Sequence, residues 1–210
     1  MKRVYFVRHA ESEANVARLH GGPHHPLSKK GMEQAQFIAE RCTKLPLQAL
    51  FASDAVRAQQ TAGVIAKRTG LDLHTAPGFH EILMPSHMRE RPFDTPEAIA
   101  AEAHLIENMA PGRRHSDEES FDEMMSRAAK ALEFLAAQKE DHIGVVTHGL
   151  FLRCIVARAI FGPEVTPREA LMLWRGLKSE NTGLTILDYR PDTPKRLWQL
   201  FVWNDHAHLG

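Results

Sequence analysis

Arg8 and His9 close a short apolar run that begins at Arg3, and His148 and Gly149 close another that begins at His142. A third such run, from Gln48, closes at Ser53, with Arg57 four residues further on. Two histidines and two arginines at the ends of such runs suit phosphoryl transfer. A guanidinium binds phosphate oxygens through a planar fork and keeps its charge at all working pH values. A neutral imidazole beside phosphorus is a competent nucleophile, because a covalent intermediate divides one hard displacement into two easier ones. Helices expected to start after Ser53 and at Gly149 add backbone N–H groups and a dipole that favours an anion. The sequence has no P-loop, no DFG-like element and no metal–carboxylate cluster, so a metal-dependent design has no support in it. The plainer alternatives are core histidines at strand ends and a surface arginine on a helix.

These residues act together only if the elements bring them to one place. The runs Arg3–Val7, Gln48–Ser53, Leu71–Thr75 and His142–Thr147 read as strands, the β-rich first and last of them suited to a buried sheet. Between them, helical periodicity and cap residues place helices over Ser28–Lys44, Arg57–Thr69 (closed by Gly70), Ser120–Lys139, Gly149–Phe161 and Pro167–Trp174. Thr182–Tyr189 and Arg196–Trp203 read as edge or outer strands, or a terminal hairpin-like pair. Strands alternating with helices predict an α/β fold with a mostly parallel central sheet flanked by helices. In such sheets ligands sit beyond the carboxyl ends of the strands. Prolines at 85, 92, 96 and 111 punctuate residues 82–116, which read as a helical or loop insertion over the site end, with a helix from Pro96 to about Met109. Residues 204–210, including His206 and His208, read as a flexible tail.

The chain has 210 residues, which predicts a single domain able to hold its own core. An apolar content of 43% with 25% charged residues excludes wholesale disorder. Lys plus Arg number 26 and Asp plus Glu 26, so the formal charge is zero and there is no electrostatic footprint for nucleic acid or anionic lipid. The apolar run Val4–Val7 is too short for a signal peptide, and Leu150–Phe161 is broken by Arg153 and Arg158. Cys42 and Cys154 read as reduced thiols, with a single disulfide left open. A soluble, cytoplasmic protein with a small-molecule partner is expected, as a monomer or a homodimer.

The run Arg8-His9-Ala10-Glu11-Ser12-Glu13-Ala14-Asn15 resembles the RHG-type signature of the histidine phosphatase (phosphoglycerate mutase-like) superfamily. Further matches follow in the family's order: Pro26-Leu27-Ser28, Ser53-Asp54 through Arg57 to Thr61, His80-Glu81, Glu119-Ser120, Val145 to Gly149 and Asn181-Thr182-Gly183. The resemblance runs from residue 2 to about 190. It implies the phosphoglycerate mutase-like fold and hydrolysis of a small phosphomonoester, with neither metal nor organic cofactor. It implies His9 as the nucleophile that becomes a phosphohistidine. Arg8, Arg57, His148 and Gly149 would form the phosphate pocket, with His148 charged in the complex, and Asn15 would contact substrate phosphate. Glu81 would protonate the leaving oxygen and then activate water, with Glu90 or Glu102 as alternatives for that role. A carboxyl group doing this near neutral pH must be held protonated by burial or by substrate charge.

Some positions depart from the family pattern. Ala10 stands where Gly is commonest, and His24 and His25 stand where relatives often carry an acid. Arg113-Arg114 resembles the basic pair that mutases use for a second phosphate, but the long insertion that follows it in mutases is missing, since Glu119-Ser120 comes almost at once. The phosphatase branch is therefore expected; a bisphosphoglycerate-dependent mutase and a non-catalytic phosphate-binding module are the alternatives. Gly21, Arg89, Arg91, Arg113 and Arg114 are candidate substrate contacts, the arginines for a second anionic group. His20, His24 and His25 lack a carboxylate or thiol nearby in sequence, so no metal site is expected there. Met84 and Met88 read as packing residues near the entrance.

Overall fold

A computed structural model describes residues 1–107, 109–193 and 197–210. The strands are β1 (Lys2–Arg8), β2 (Ala49–Ala52), β3 (Leu73–Thr75), β4 (His142–Thr147), β5 (Leu184–Tyr189) and β6 (Trp198–Asp205). The helices are α1 (Glu13–Val16), α2 (Lys29–Cys42), α3 (Val56–Thr69), α4 (Pro96–Glu107), α5 (Phe121–Ala137), α6 (Gly149–Phe161) and α7 (Pro167–Gly176). The strands form one sheet in the order β3-β2-β4-β1-β5-β6. The first four are parallel, β5 runs antiparallel to them, and β6, antiparallel to β5, returns to their direction. This is the expected α/β architecture with a mostly parallel sheet.

The apolar runs become strands because both sheet faces are covered. Along β1, Val4 and Phe6 pack with α5, α6 and α7, whereas Tyr5 and Val7 pack with α2 and α3. That alternation is the period-two pleat of a strand buried on both sides. Cys154 lies in the first of these layers and Cys42 in the second, and both are free thiols, so the disulfide alternative falls. Burial pushes the Cys42 thiol up to about 12 and Cys154 up as well.

Four expectations change. β5 is no outer strand: it lies between β1 and β6 and is buried along most of its length, and it forms with the edge strand β6 the antiparallel, hairpin-like pair expected as the alternative. β6 also starts and ends later than expected, and its anticipated first residue, Arg196, lies outside the described residues. Residues 204–210 do not behave as a loose tail. Asp205 closes the β5–β6 pairing and forms an ion pair with Arg41, while the His208 ring contacts Arg41 and Thr182 Oγ1, the latter at 3.1 Å. The expected helix from Pro96 ends at Glu107, and residue 108 lies outside the described residues.

The segment 82–116 is tied to the residues that follow β1. It pairs with the loop that follows the first strand through an antiparallel bridge between Leu19 and Pro92. Phe93 N donates to Arg18 O at 2.9 Å, His20 N to Arg91 O at 3.0 Å and Glu90 N to His20 O at 2.9 Å. On its other side that loop is fixed by α2. Ser28 caps this helix, its hydroxyl accepting from Gly31 N and donating to Glu11 Oε1, while Ser28 N donates to Glu11 O. Any Cβ on Gly31 would collide with the Glu11 carbonyl oxygen. Gly31→Ala is therefore expected to cost about 1–3 kcal/mol, because backbone on both sides must move. Gly63, also helical, has open space where its Cβ would stand, so Gly63→Ala is expected to add about 0.5–1 kcal/mol. Denaturation midpoints of the two variants check both signs.

Candidate active site

Strand order places the two histidines side by side. β1 and β4 are neighbours with Arg8 opposite Thr147, so His9 and His148 leave adjacent strands at the same level. His9 N still donates to Thr147 O at 2.9 Å, and the next amide, Ala10 N, is caught by the Thr61 hydroxyl of α3 at 3.0 Å. That exchange turns the chain out of the sheet, which lets the adjacent Arg8 and His9 serve one site. Asn181 Nδ2 holds the His9 carbonyl at 2.9 Å, and Thr182 N holds that of Arg8 at 2.9 Å. His148 is the N-cap residue of α6. Ser53 follows β2 and donates its amide to Val146 O at 3.0 Å, and Arg57 lies in the first turn of α3.

At the centre, one guanidinium joins both imidazoles. Arg57 Nε donates to His9 Nε2 at 3.0 Å, Nη2 to His148 Nδ1 at 3.1 Å and Nη1 to the Gly22 carbonyl at 2.7 Å. Partner types fix the tautomers. His9 Nδ1 faces the Ala10 carbonyl at 2.7 Å and so carries its proton, leaving a lone pair on Nε2. His148 accepts at Nδ1, so its Nε2 donates to Ser53 Oγ at 2.8 Å. The rings are tilted, with centroids 5.0 Å apart. Both titrate far below the ordinary histidine value, first through burial; for His9 the charges of Arg57 and Arg8 follow, and for His148 His9 precedes those arginines. His148 is thus neutral in this arrangement, and its charge in a complex remains an expectation.

Arg8 packs against the start of α6. Its Nη1 bonds the Ser179 carbonyl, and its Nε is buried with no hydrogen-bond partner among the described residues. Added to Gly149, a Cβ would stand 3.3 Å from that Nε, so a larger residue there would press on the arginine. Glu81 caps α6 from outside: its carboxylate accepts from Phe151 N at 2.9 Å, Leu150 N at 3.2 Å and its neighbour Ile82 N at 3.0 Å. The Glu81 charge acts on Arg8, Arg57 and Arg153 together. Two cations, two neutral imidazoles and a carboxylate thus meet at the carboxyl end of the sheet.

Residues 4–206 match the family described as histidine phosphatase superfamily (branch 1). The chain belongs to the histidine phosphatase superfamily. A relative from Enterobacter sp. (strain 638), named probable phosphoglycerate mutase GpmB, is 32% identical over 215 residues, covering 100% of this chain and 95% of the relative. Among solved structures, a putative alpha-ribazole-5'-P phosphatase from Escherichia coli K-12 superposes with a TM-score of 0.79 at 23% identity, over 98% of this chain and 97% of that one. Bacillus stearothermophilus YhfR gives a TM-score of 0.83 at 22% identity, covering 100% of both chains. At such identities these two structures speak for the fold alone.

Several candidate residues of this superfamily member stand apart from the centre. Arg89 is bound to the Met84 carbonyl at 2.6 Å and to Asp117, and Arg114 is paired with Glu123. Arg113 is exposed at the rim of a small cavity under α4 that Met84, Met109 and Met124 line. The Arg91 side chain is exposed, and its carbonyl serves His20. Asn15 works as a cap: its Oδ1 accepts from Ser12 N at 3.1 Å and from Asn181 Nδ2 at 3.3 Å. Gly21 is pressed against Ala14, where no side chain fits. Of the alternatives to Glu81, Glu102 borders the cavity under α4, and Glu90 bonds Gly22 and His25. His20 instead stacks near Phe93, and among the described residues no group of three metal-ligating side chains is found. Ser53, Thr61 and Asn181 fall within the quoted motifs, but their contacts are long-range and not visible in one sequence.

The depressed histidines have a consequence for stability. A group whose folded value lies below its unfolded one binds its proton more readily in the unfolded chain, so stability is lost as pH falls through the unfolded value of about 6.5. Each of His9 and His148 should remove about 1.4 kcal/mol between pH 7.5 and 5.5. His148→Gln should show a smaller loss over that interval in urea titrations at the two pH values.

Proposed function

We propose that this protein is a phosphatase that hydrolyses a small phosphomonoester through a phosphohistidine on His9. The observation that carries the reading is the charge left uncompensated at the centre. Arg3, Arg41, Arg68, Arg89, Arg114 and Arg127 each meet a carboxylate. Arg8 and Arg57, among the described residues, bond only carbonyls and imidazoles. A buried cation without a bonded anion suits an anionic ligand.

The placement supports the following steps. The Nε2 lone pair of His9 attacks phosphorus while Nδ1–H stays on the Ala10 carbonyl, and Arg57 and Arg8 turn their N–H groups to the equatorial oxygens. The bond from phosphorus to the ester oxygen breaks, and Glu81 in its acid form protonates the departing alcohol. Glu81 then takes a proton from water, the oxygen attacks phosphorus, and the N–P bond breaks. Products are the alcohol and orthophosphate, and His9 and Glu81 return to their starting states.

Hydrolysis is preferred over phosphoryl return to substrate because two of the four arginines considered for a second phosphate are engaged elsewhere, Arg114 on Glu123 and Arg89 on Asp117 and the Met84 carbonyl. The names of the curated relatives favour the mutase as the second reading. A narrow substrate range is supported by residues 90–93, which bond the loop at 18–22 that also holds Arg57.

Hydrolysis of p-nitrophenyl phosphate in EDTA should persist in the wild type and fall at least about a thousandfold in His9→Ala, since removing a covalent nucleophile removes the pathway. Glu81→Gln should slow an alkyl phosphate far more than p-nitrophenyl phosphate, whose leaving group departs as a stable anion without a proton. Equal rates in wild type and His9→Ala would refute the mechanism. Transfer between 3-phosphoglycerate and 2,3-bisphosphoglycerate without net hydrolysis would favour the mutase.

A further inference from the structure

Glu90 occupies an unusual position. Its backbone is left-handed, with φ at +60°, a conformation that a non-glycine residue adopts at a cost. Its side chain is half exposed, so its contacts gain little from the protein interior. A strained backbone presenting a half-exposed carboxylate is a poor device for stability, and its contacts lead to the phosphate centre instead.

Glu90 Oε1 accepts from Gly22 N at 2.7 Å, and Glu90 Oε2 meets His25 Nε2 at 2.6 Å. Gly22, through its carbonyl on the other side of the same residue, accepts from Arg57 Nη1 at 2.7 Å. The fit is tight, since a Cβ on Gly22 would stand 2.5 Å from Glu90 Oε1. Pro23 O, next along the loop, accepts from Val56 N at the start of α3, the helix that carries Arg57. The Gly22 carbonyl is therefore set between the segment 88–93 and the guanidinium. It is the one partner of Arg57 that a bound phosphoryl group need not replace, because the other two are the imidazoles that face the reacting centre.

We infer that Glu90 is a positioning residue: by holding the Gly22 amide it fixes the carbonyl on which the Arg57 guanidinium pivots when it turns from His9 and His148 to phosphate oxygens. His25 orients the Glu90 carboxylate from its far oxygen. The inference rests on the reading of Arg8, His9 and Arg57 as a phosphate site.

The test uses three variants of the full chain and two readouts: orthophosphate affinity by calorimetry and steady-state hydrolysis of p-nitrophenyl phosphate. Glu90→Gly removes the carboxylate but suits the left-handed backbone, so thermal stability should hold while orthophosphate binds about tenfold more weakly. KM should rise by a similar factor, and kcat should fall as well, since Arg57 also serves the transition state. Glu90→Ala should behave alike with a lower melting temperature. Glu90→Gln keeps an oxygen for the Gly22 amide and should recover most of the lost affinity. Orthophosphate affinity within twofold of wild type in Glu90→Gly would overturn the inference. Equal losses in Glu90→Gln and Glu90→Gly would overturn it too, since charge rather than the Gly22 contact would then be responsible. A wild type that binds orthophosphate but hydrolyses no ester would remove the phosphatase reading and leave the calorimetric comparison valid.

Discussion

A single guanidinium, that of Arg57, bonded at once to two imidazoles and a carbonyl, is the constraint on which the site depends. Burying a cation is costly unless its N–H groups are satisfied and its charge is balanced. The first condition is met by His9, His148 and Gly22. The second is met only at one remove, by Glu81 and Glu90, neither of which touches it. With that cation between them, neither ring can take a second proton without adding a like charge in a closed space. Neutral imidazoles follow, and with them a His9 Nε2 lone pair that is not already spent on a proton, as the proposed mechanism requires.

The sheet supplies the placement that makes this possible. Adjacent parallel strands lie about 4.8 Å apart, so residues at matched register on β1 and β4 leave the sheet within reach of each other. β2 on the far side of β4 brings Ser53 to the His148 ring and starts α3 so that Arg57 returns over both histidines. β5, antiparallel on the other flank of β1, ends the opposite way, and the turn before it contributes Asn181 and Thr182 to the carbonyls of His9 and Arg8. Strand ends and the helices that follow them thus place the centre, and the loop residues Gly22 and Ser179 complete it by holding Arg57 and Arg8.

This division explains what a single sequence can disclose. Periodicity and caps mark α2, α3, α5 and α6 because each has one buried face and a recognisable start, such as Ser28 or Ser120. Strand ends mark Arg8, His9, Ser53 and His148. The short helix α1 escapes because its capping box uses Asn15 rather than the usual Glu or Gln. The terminal residues read as loose because what ties them down, Arg41 and Thr182, is remote in sequence. Basic residues of the insertion were open to a substrate role on charge alone, and for Arg114 and Arg89 only the partners, Glu123 and Asp117, show the charge engaged internally. Local pattern is legible; the choice among long-range partners is not.

The same geometry bears on when the nucleophile is available. In the arrangement seen, Arg57 Nε occupies the Nε2 lone pair of His9, the atom that attacks in the proposed mechanism. Attack requires the guanidinium to leave that lone pair, and it gives up a hydrogen bond to a neutral nitrogen only for a better acceptor. A phosphoryl group offers several anionic oxygens, and charge-assisted bonds of that kind are roughly twice as strong as neutral ones. A neutral ester or a water molecule offers no such exchange. Under the proposed mechanism, the interaction that keeps His9 neutral therefore also reserves its lone pair for ligands with an anionic phosphoryl group, so nucleophilicity and selection for phosphate would arise from the same three bonds of Arg57.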